Sequence, residues 1–106
     1  MNAPRLERLK ALVEAQPDDP RARYFLANEL FRAEDWAGAA EQFGAYVGLS
    51  GGDDGAAYRS LGLALERLGR PEEAAAAYRA GIDSALAHGH DGLAAELRDL
   101  LGGGGG

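Results

Sequence analysis

The chain has 106 residues, 46 % of them hydrophobic and 26 % charged, the make-up of one small domain able to bury roughly 60–70 % of its unfolded surface. Eleven basic against 17 acidic residues leave a net charge of −6, the wrong sign for nucleic acid or an anionic membrane as the main partner. Cysteine is absent, which excludes disulfides, thiolate zinc sites and cysteine nucleophiles.

The opening stretch is charged at every turn and lacks the apolar core of a signal peptide. No later run approaches the roughly 18 apolar residues that span a bilayer, so a cytoplasmic location is expected. A first helix is predicted over residues 3–15, capped by Asn2 with Pro4 in its first turn. Leu6, Leu9, Leu12 and Val13 form its apolar stripe, while Arg5, Glu7, Arg8, Lys10 and Glu14 face water. Pro17 to Pro20 then ends one helix and starts another, with Asp19 as N-cap and Pro20 at the first helical position.

The second helix, about residues 20–33, places Ala22, Leu26, Ala27 and Leu30 on one face. Glu34 and Asp35 make a polar turn, and the third helix, residues 36–49, turns Ala39, Ala40, Phe43 and Tyr46 inward. Ser50 to Gly55 reads as a loop, with Asp53 or Asp54 as the next N-cap. The fourth helix, residues 56–68, and the fifth, residues 71–88, fold together across a tight turn at Gly69, Arg70 and Pro71. Leu61, Leu65 and Leu68 recur at helical spacing before that turn, and Ala74 and Tyr78 after it. Pro71 suits a first turn, and Glu72 and Glu73 complement the helix dipole behind it. Gly89 ends the fifth helix in a left-handed conformation and Asp91 caps a sixth, which runs to residue 101 on Leu93, Leu97, Leu100 and Leu101. Glycines 102–106 are expected to form a disordered tail. No strand-like alternation is present, so the fold class is all-α.

A shift of 35 residues superposes Leu26 on Leu61, Ala27 on Gly62, Leu30 on Leu65, Ala39 on Ala74 and Phe43 on Tyr78. A shift of 34 places Leu9 on Phe43 and Leu12 on Tyr46. On these residues the chain resembles the tetratricopeptide repeat family, whose period is 34. The resemblance covers about residues 5–88 and implies a right-handed stack of antiparallel helix hairpins. It divides residues 1–101 into a half repeat (3–19), two whole repeats (20–54 and 55–88) and a capping helix (91–101). Several positions depart from the family pattern. Arg23 stands where an aromatic is expected, with Tyr24 beside it; Tyr46 and Gly81 replace the usual alanine; Gly51 and Gly52 replace the proline between repeats.

The resemblance implies a non-enzymatic protein-interaction module whose concave face is lined by the first helix of each hairpin. That face would hold Arg21, Tyr24, Phe25, Asn28, Phe31 and Arg32 from one hairpin and Arg59, Ser60, Leu63, Glu66 and Arg67 from the next. Aromatic and arginine side chains carry much interface energy, and arginine grips carboxylates in bidentate fashion. The expected occupant is a peptide or protein segment with an acidic group and an apolar anchor. The competing reading packs Tyr24 and Phe25 against the first helix and leaves the arginines to solvate the surface. Some family members clamp a C-terminal carboxylate with a lysine and two asparagines. Here Asn28 matches one asparagine, but Tyr24 and Ser60 occupy the other two places, so that activity is not expected.

An alternative to peptide binding is self-association through the exposed edge of a terminal helix. His88, His90 and Asp91 could be read as metal ligands, but they sit on a turn with no further histidine or cysteine, so a solvated loop is expected instead. The segment from Gly51 to Gly55 matches neither a phosphate loop nor a calcium loop. Ser50, Ser60 and Ser84 have no histidine and carboxylate nearby in sequence. No enzymatic activity, cofactor or metal is expected.

Overall fold

The computed structural model describes residues 3–50 and 55–103. They form α1 (Ala3–Ala15), α2 (Pro20–Arg32), α3 (Trp36–Ser50), α4 (Ala56–Arg67), α5 (Pro71–Ala87) and α6 (Asp91–Gly103). No strand occurs among the described residues. Each helix packs chiefly on its neighbours in the chain, so α2 with α3 and α4 with α5 make two hairpins, flanked by α1 and α6. The stack measures 39 × 27 × 19 Å.

Three-residue connections force the helices they join to run antiparallel. Ala33–Asp35 links α2 to α3, residues 68–70 link α4 to α5, and residues 88–90 link α5 to α6. The middle residue of each is left-handed: Glu34 at φ 60°, Gly69 at φ 73° and Gly89 at φ 74°. The next N–H then reaches back to close the helix end, Asp35 to the Leu30 carbonyl and Arg70 to the Leu65 carbonyl, both at 2.9 Å, and His90 to Ala85 at 2.8 Å. The first two turns are 35 residues apart and make the same backbone hydrogen bonds at equivalent positions. The period seen in the apolar residues is thus repeated in the backbone.

The helix starts differ from one another. Asp19 caps α2, its Oδ1 accepting from the Arg21 N–H at 2.9 Å, and Asp35 Oδ1 does the same for Gly38 on α3 at 3.0 Å. On α4 the N-cap is Gly55, at φ 114° and with no side-chain cap, rather than the aspartate expected at 53 or 54. A side chain there would crowd the Gly81 carbonyl, 2.9 Å from where a Cβ would sit. Asp53, Asp54 and the expected cap Asn2 lie outside the described residues. At the other end α6 continues through Gly103, so the helix overruns the point, after Leu101, where a glycine tail was expected to begin.

The core is built on small residues. Ala22, Ala27, Ala39, Ala57, Ala64, Ala74, Ala85 and Ala94 are all buried, and Phe43, Tyr78 and Leu97 are the largest side chains fully enclosed. Alanine at a crossing lets two helix axes come close, and each large ring then fills the space beside it. The pairs Ala27 and Gly62, Ala39 and Ala74, and Phe43 and Tyr78 are buried alike. One expected core residue is exposed outright: Leu12 is 37 % exposed, because α1, at the end of the stack, packs chiefly on α2.

Candidate functional site

The exposed side of α2 follows from the helical period. Arg21, Phe25 and Arg32 point away from the buried Ala22, Leu26 and Leu30. Phe25 is 50 % exposed, a large apolar surface between two cations. Arg21 leans on its own helix cap, with Nε 3.5 Å from Asp19 Oδ1. Arg32 holds Glu29 Oε1 at 2.8 Å, and Arg5 from α1 reaches the same oxygen at 2.9 Å. One carboxylate therefore faces two guanidinium groups, which leaves the local balance positive.

Tyr24 and Phe31 correct the expectation of exposed aromatics on this face. Both are only half exposed and turn into the α2–α3 hairpin. The Tyr24 ring lies 4.9 Å from that of Tyr46 and 6.2 Å edge-on to Phe43. Phe31 meets Trp36 edge-on at 5.0 Å and Phe43 at 6.2 Å. The ring contacts of Tyr24 and Phe31 are thus with aromatic residues of α3. Asn28 is half-buried, and its Nδ2 donates to the Tyr24 carbonyl at 3.1 Å.

On α4, Arg67 lies over Trp36, its guanidinium carbon 5.3 Å from the ring centroid. Phe31, Trp36 and Arg67 thus join three helices at one end of the face. Arg59 is drawn to α6, with Nε 2.6 Å from Glu96 Oε2. Leu63 and Ser60 are half-buried and Glu66 is exposed. Glu66 Oε2 accepts from the Tyr78 hydroxyl at 2.7 Å. Burial pushes the Tyr78 phenol far above its ordinary range, and the Glu66 carboxylate adds to the effect. Of the residues expected on the face, Arg21, Phe25, Arg32 and Arg67 are exposed, Asn28 and Leu63 are half-buried, and Arg59 is tied to α6. Along α2 three arginines stand against Glu29 alone, and along α4 two stand against Glu66, within a chain that is acidic as a whole.

Arg23, read from sequence as a departure from pattern, has a structural place. It donates from Nε to the Pro17 carbonyl at 3.1 Å and from Nη1 to Gln42 Oε1 at 3.0 Å, fixing the α1–α2 connection onto α3. Gln42 is the buried polar partner that makes this possible. Its signal was an uncharged amide among inward-facing residues of α3. Among the described residues no three His, Cys, Asp or Glu side chains converge as a metal would require. The His88 and His90 rings lie 6.2 Å apart, and His88 Nδ1 is 2.8 Å from the Ser84 carbonyl. No described helix is long and apolar enough to cross a membrane.

A cavity of about 650 Å³ that sequence reasoning missed lies between α3, α4 and α5, over Leu61 and Leu65. Alanine and glycine make up much of its walls, beside Glu41, Tyr58, Arg70 and Glu73, and their small size gives no periodic apolar signal beyond that of the core itself.

Comparison with known proteins agrees with the repeat geometry. The family model described as tetratricopeptide repeat matches residues 1–86, which spans α1 to the last turn of α5. No curated protein matches the chain. With 35-residue equivalence in turns, core alanines and buried rings, and a family match over most of its length, the chain belongs to the tetratricopeptide repeat family.

Proposed function

We propose that this protein is a non-enzymatic adaptor that binds a peptide or protein segment across the concave face of α2 and α4. The family is one of protein-interaction modules, and the reading narrows that general role to one surface. The observation that carries it is the exposed face of α2, where Phe25, half exposed, stands between Arg21 and Arg32, with Arg67 exposed on the neighbouring α4. An apolar anchor of the ligand would cover the Phe25 ring, and its carboxylate would pair with the arginines. No cofactor, metal, nucleic acid or membrane enters this function.

A displayed library of short random peptides tests it. Selected sequences should combine a large apolar side chain with an acidic group. Replacing Phe25, Arg32 and Arg67 together by alanine should abolish the selection while the protein stays folded, its melting temperature falling by no more than about 10 °C as the Arg67 contact with Trp36 is lost. Selection that survives the triple substitution would place the binding surface elsewhere. A second reading, self-association, draws on the 37 % exposure of Leu12 at the α1 edge. Light scattering across a range of concentrations decides it, since a constant monomer mass removes this reading.

A further inference from the structure

The cavity over Leu61 and Leu65 is separate from the arginine strip. On α4 those leucines lie roughly 100–160° around the helix from Ser60 and Arg67, so the two surfaces look out from different sides of it. The trough is open along its length. Ala37 and Gly44 of α3 form one wall and Ala76 and Ala80 of α5 the other. From Ala37 to Gly44 the wall runs about 10 Å, two helical turns.

A smaller trough of about 260 Å³ lies one repeat earlier, floored by Leu26 and Leu30. These are the counterparts of Leu61 and Leu65 at 35 residues. Glu41 borders both troughs, and Asp35 and Glu14 border the smaller together with one cation, Lys10. Among the described residues Glu14, Asp35 and Glu41 form no ion pair. At the far end of the larger trough Glu73 is neutralised by Arg70, whose Nη2 donates to Glu73 Oε1 at 2.8 Å. The linings therefore carry more negative than positive charge, with Glu41 shared between them and outside any ion pair, whereas the strip on another side of α4 is positive.

We propose that this trough is a second docking site, which takes an amphipathic helix from a partner protein, with large aliphatic side chains on one stripe and lysine or arginine beside it. The floor of leucines calls for large aliphatic groups to replace the water above it. Short walls let a helix axis settle at the roughly 8–10 Å distance of packed helices. Two turns of contact match anchors at positions i, i+3 or i+4, and i+7 of the incoming helix. Glu41, with Asp35 and Glu14 along the adjoining trough, selects a basic flank. The site requires none of the residues assigned to the concave face, so the two proposals stand or fall separately.

The probe is a fluorescein-labelled model helix of leucine and lysine, with leucine at i, i+3, i+4 and i+7. A control helix carries glutamate in place of lysine. In an anisotropy titration the lysine helix should bind saturably and at least about tenfold more tightly than the control. Ala76→Trp and Ala37→Trp, both at exposed positions, should each weaken binding about tenfold by filling the trough, with the circular dichroism melt confirming the fold. Glu41→Lys should weaken it and flatten its salt dependence, whereas Phe25→Ala and Arg67→Ala should leave it unchanged. Equal affinity for the two helices, or indifference to both tryptophan variants, overturns the proposal. So does a dimer that Ala76→Trp dissociates, because the occupant would then be a second copy of this chain.

Discussion

A methyl group on Gly62 would lie 2.6 Å from Cδ1 of Tyr78 and closer still to Cε1, so the glycine and the ring share one space where α4 crosses α5. Gly62→Ala gains up to about 1 kcal/mol of helix propensity, but the overlap should outweigh it. A net loss of about 1–3 kcal/mol is expected, measured as a shift in the urea midpoint. Adding Tyr78→Leu should recover part of that loss. A double-mutant cycle showing no coupling would mean that the two helices are not in contact here.

Tyr78 also predicts how stability responds to alkali. Its phenol is held protonated in the folded state, first by burial and then by the bond to Glu66, while Arg59 opposes the shift. Below the ordinary phenol value near 10 this contribution is complete. Above it the unfolded chain loses the proton while the folded chain keeps it, so stability falls as pH rises, by about 1.4 kcal/mol per pH unit for one group. Tyr78→Phe should remove that dependence and lose about 1 kcal/mol at neutral pH with the hydrogen bond. Urea midpoints of the two proteins between about pH 8 and pH 11 make the comparison. Identical slopes would exclude Tyr78 as the source.

Glu34 and Gly69 hold the same left-handed place in successive turns, yet only one of them is glycine. A side chain at such a φ costs roughly 1 kcal/mol. Nothing lies within 4 Å of a Cβ added to Gly69, so Gly69→Ala isolates the backbone cost and should destabilise by about 1 kcal/mol. Glu34→Gly should move the midpoint the other way by about 0.5 kcal/mol, since added freedom in the unfolded chain offsets part of the gain. If both substitutions destabilise equally, the two turns are not equivalent.

Trp36 is the sole tryptophan of the chain, which makes its contact with Arg67 directly observable. Arg67→Ala should change the intensity or wavelength of tryptophan emission and reduce stability by about 0.5–1 kcal/mol. Arg67→Lys should restore less than the whole effect, because the planar guanidinium stacks and the ammonium does not. Emission unchanged in Arg67→Ala would separate the two side chains in solution.

Much of this architecture was legible in the sequence because small and large residues alternate at a fixed interval. Ala27 and Gly62, and Phe43 and Tyr78, announce both the hairpin and its repetition. Proline at positions 20 and 71 marks helix starts with little ambiguity. Gly55 was harder: Asp53 and Asp54 have better capping chemistry, and the choice fell to the close approach of Gly81, a residue 26 positions away that no local rule consults.

The candidate site was legible only in outline. Tyr24 and Phe31 lie roughly 40–60° beyond Ala27 around α2, on the boundary between the buried and exposed sectors. Periodicity does not decide such positions; the length of an aromatic side chain does, and both reach α3. Arg21, Phe25 and Arg32 lie well inside the exposed sector, and there the helical wheel sufficed. The trough over Leu61 and Leu65 left no trace of its own, because alanine in a wall and alanine in a core are written alike.

Because packing runs mainly between consecutive helices, the chain resembles a row of leaning books more than a sphere. A support lost at one end is felt next door and hardly beyond, so opening proceeds inward from the margin. In native-state amide exchange α1, which rests chiefly on α2, should trade its protons for deuterium first, and the α4–α5 crossing beneath Tyr78 last.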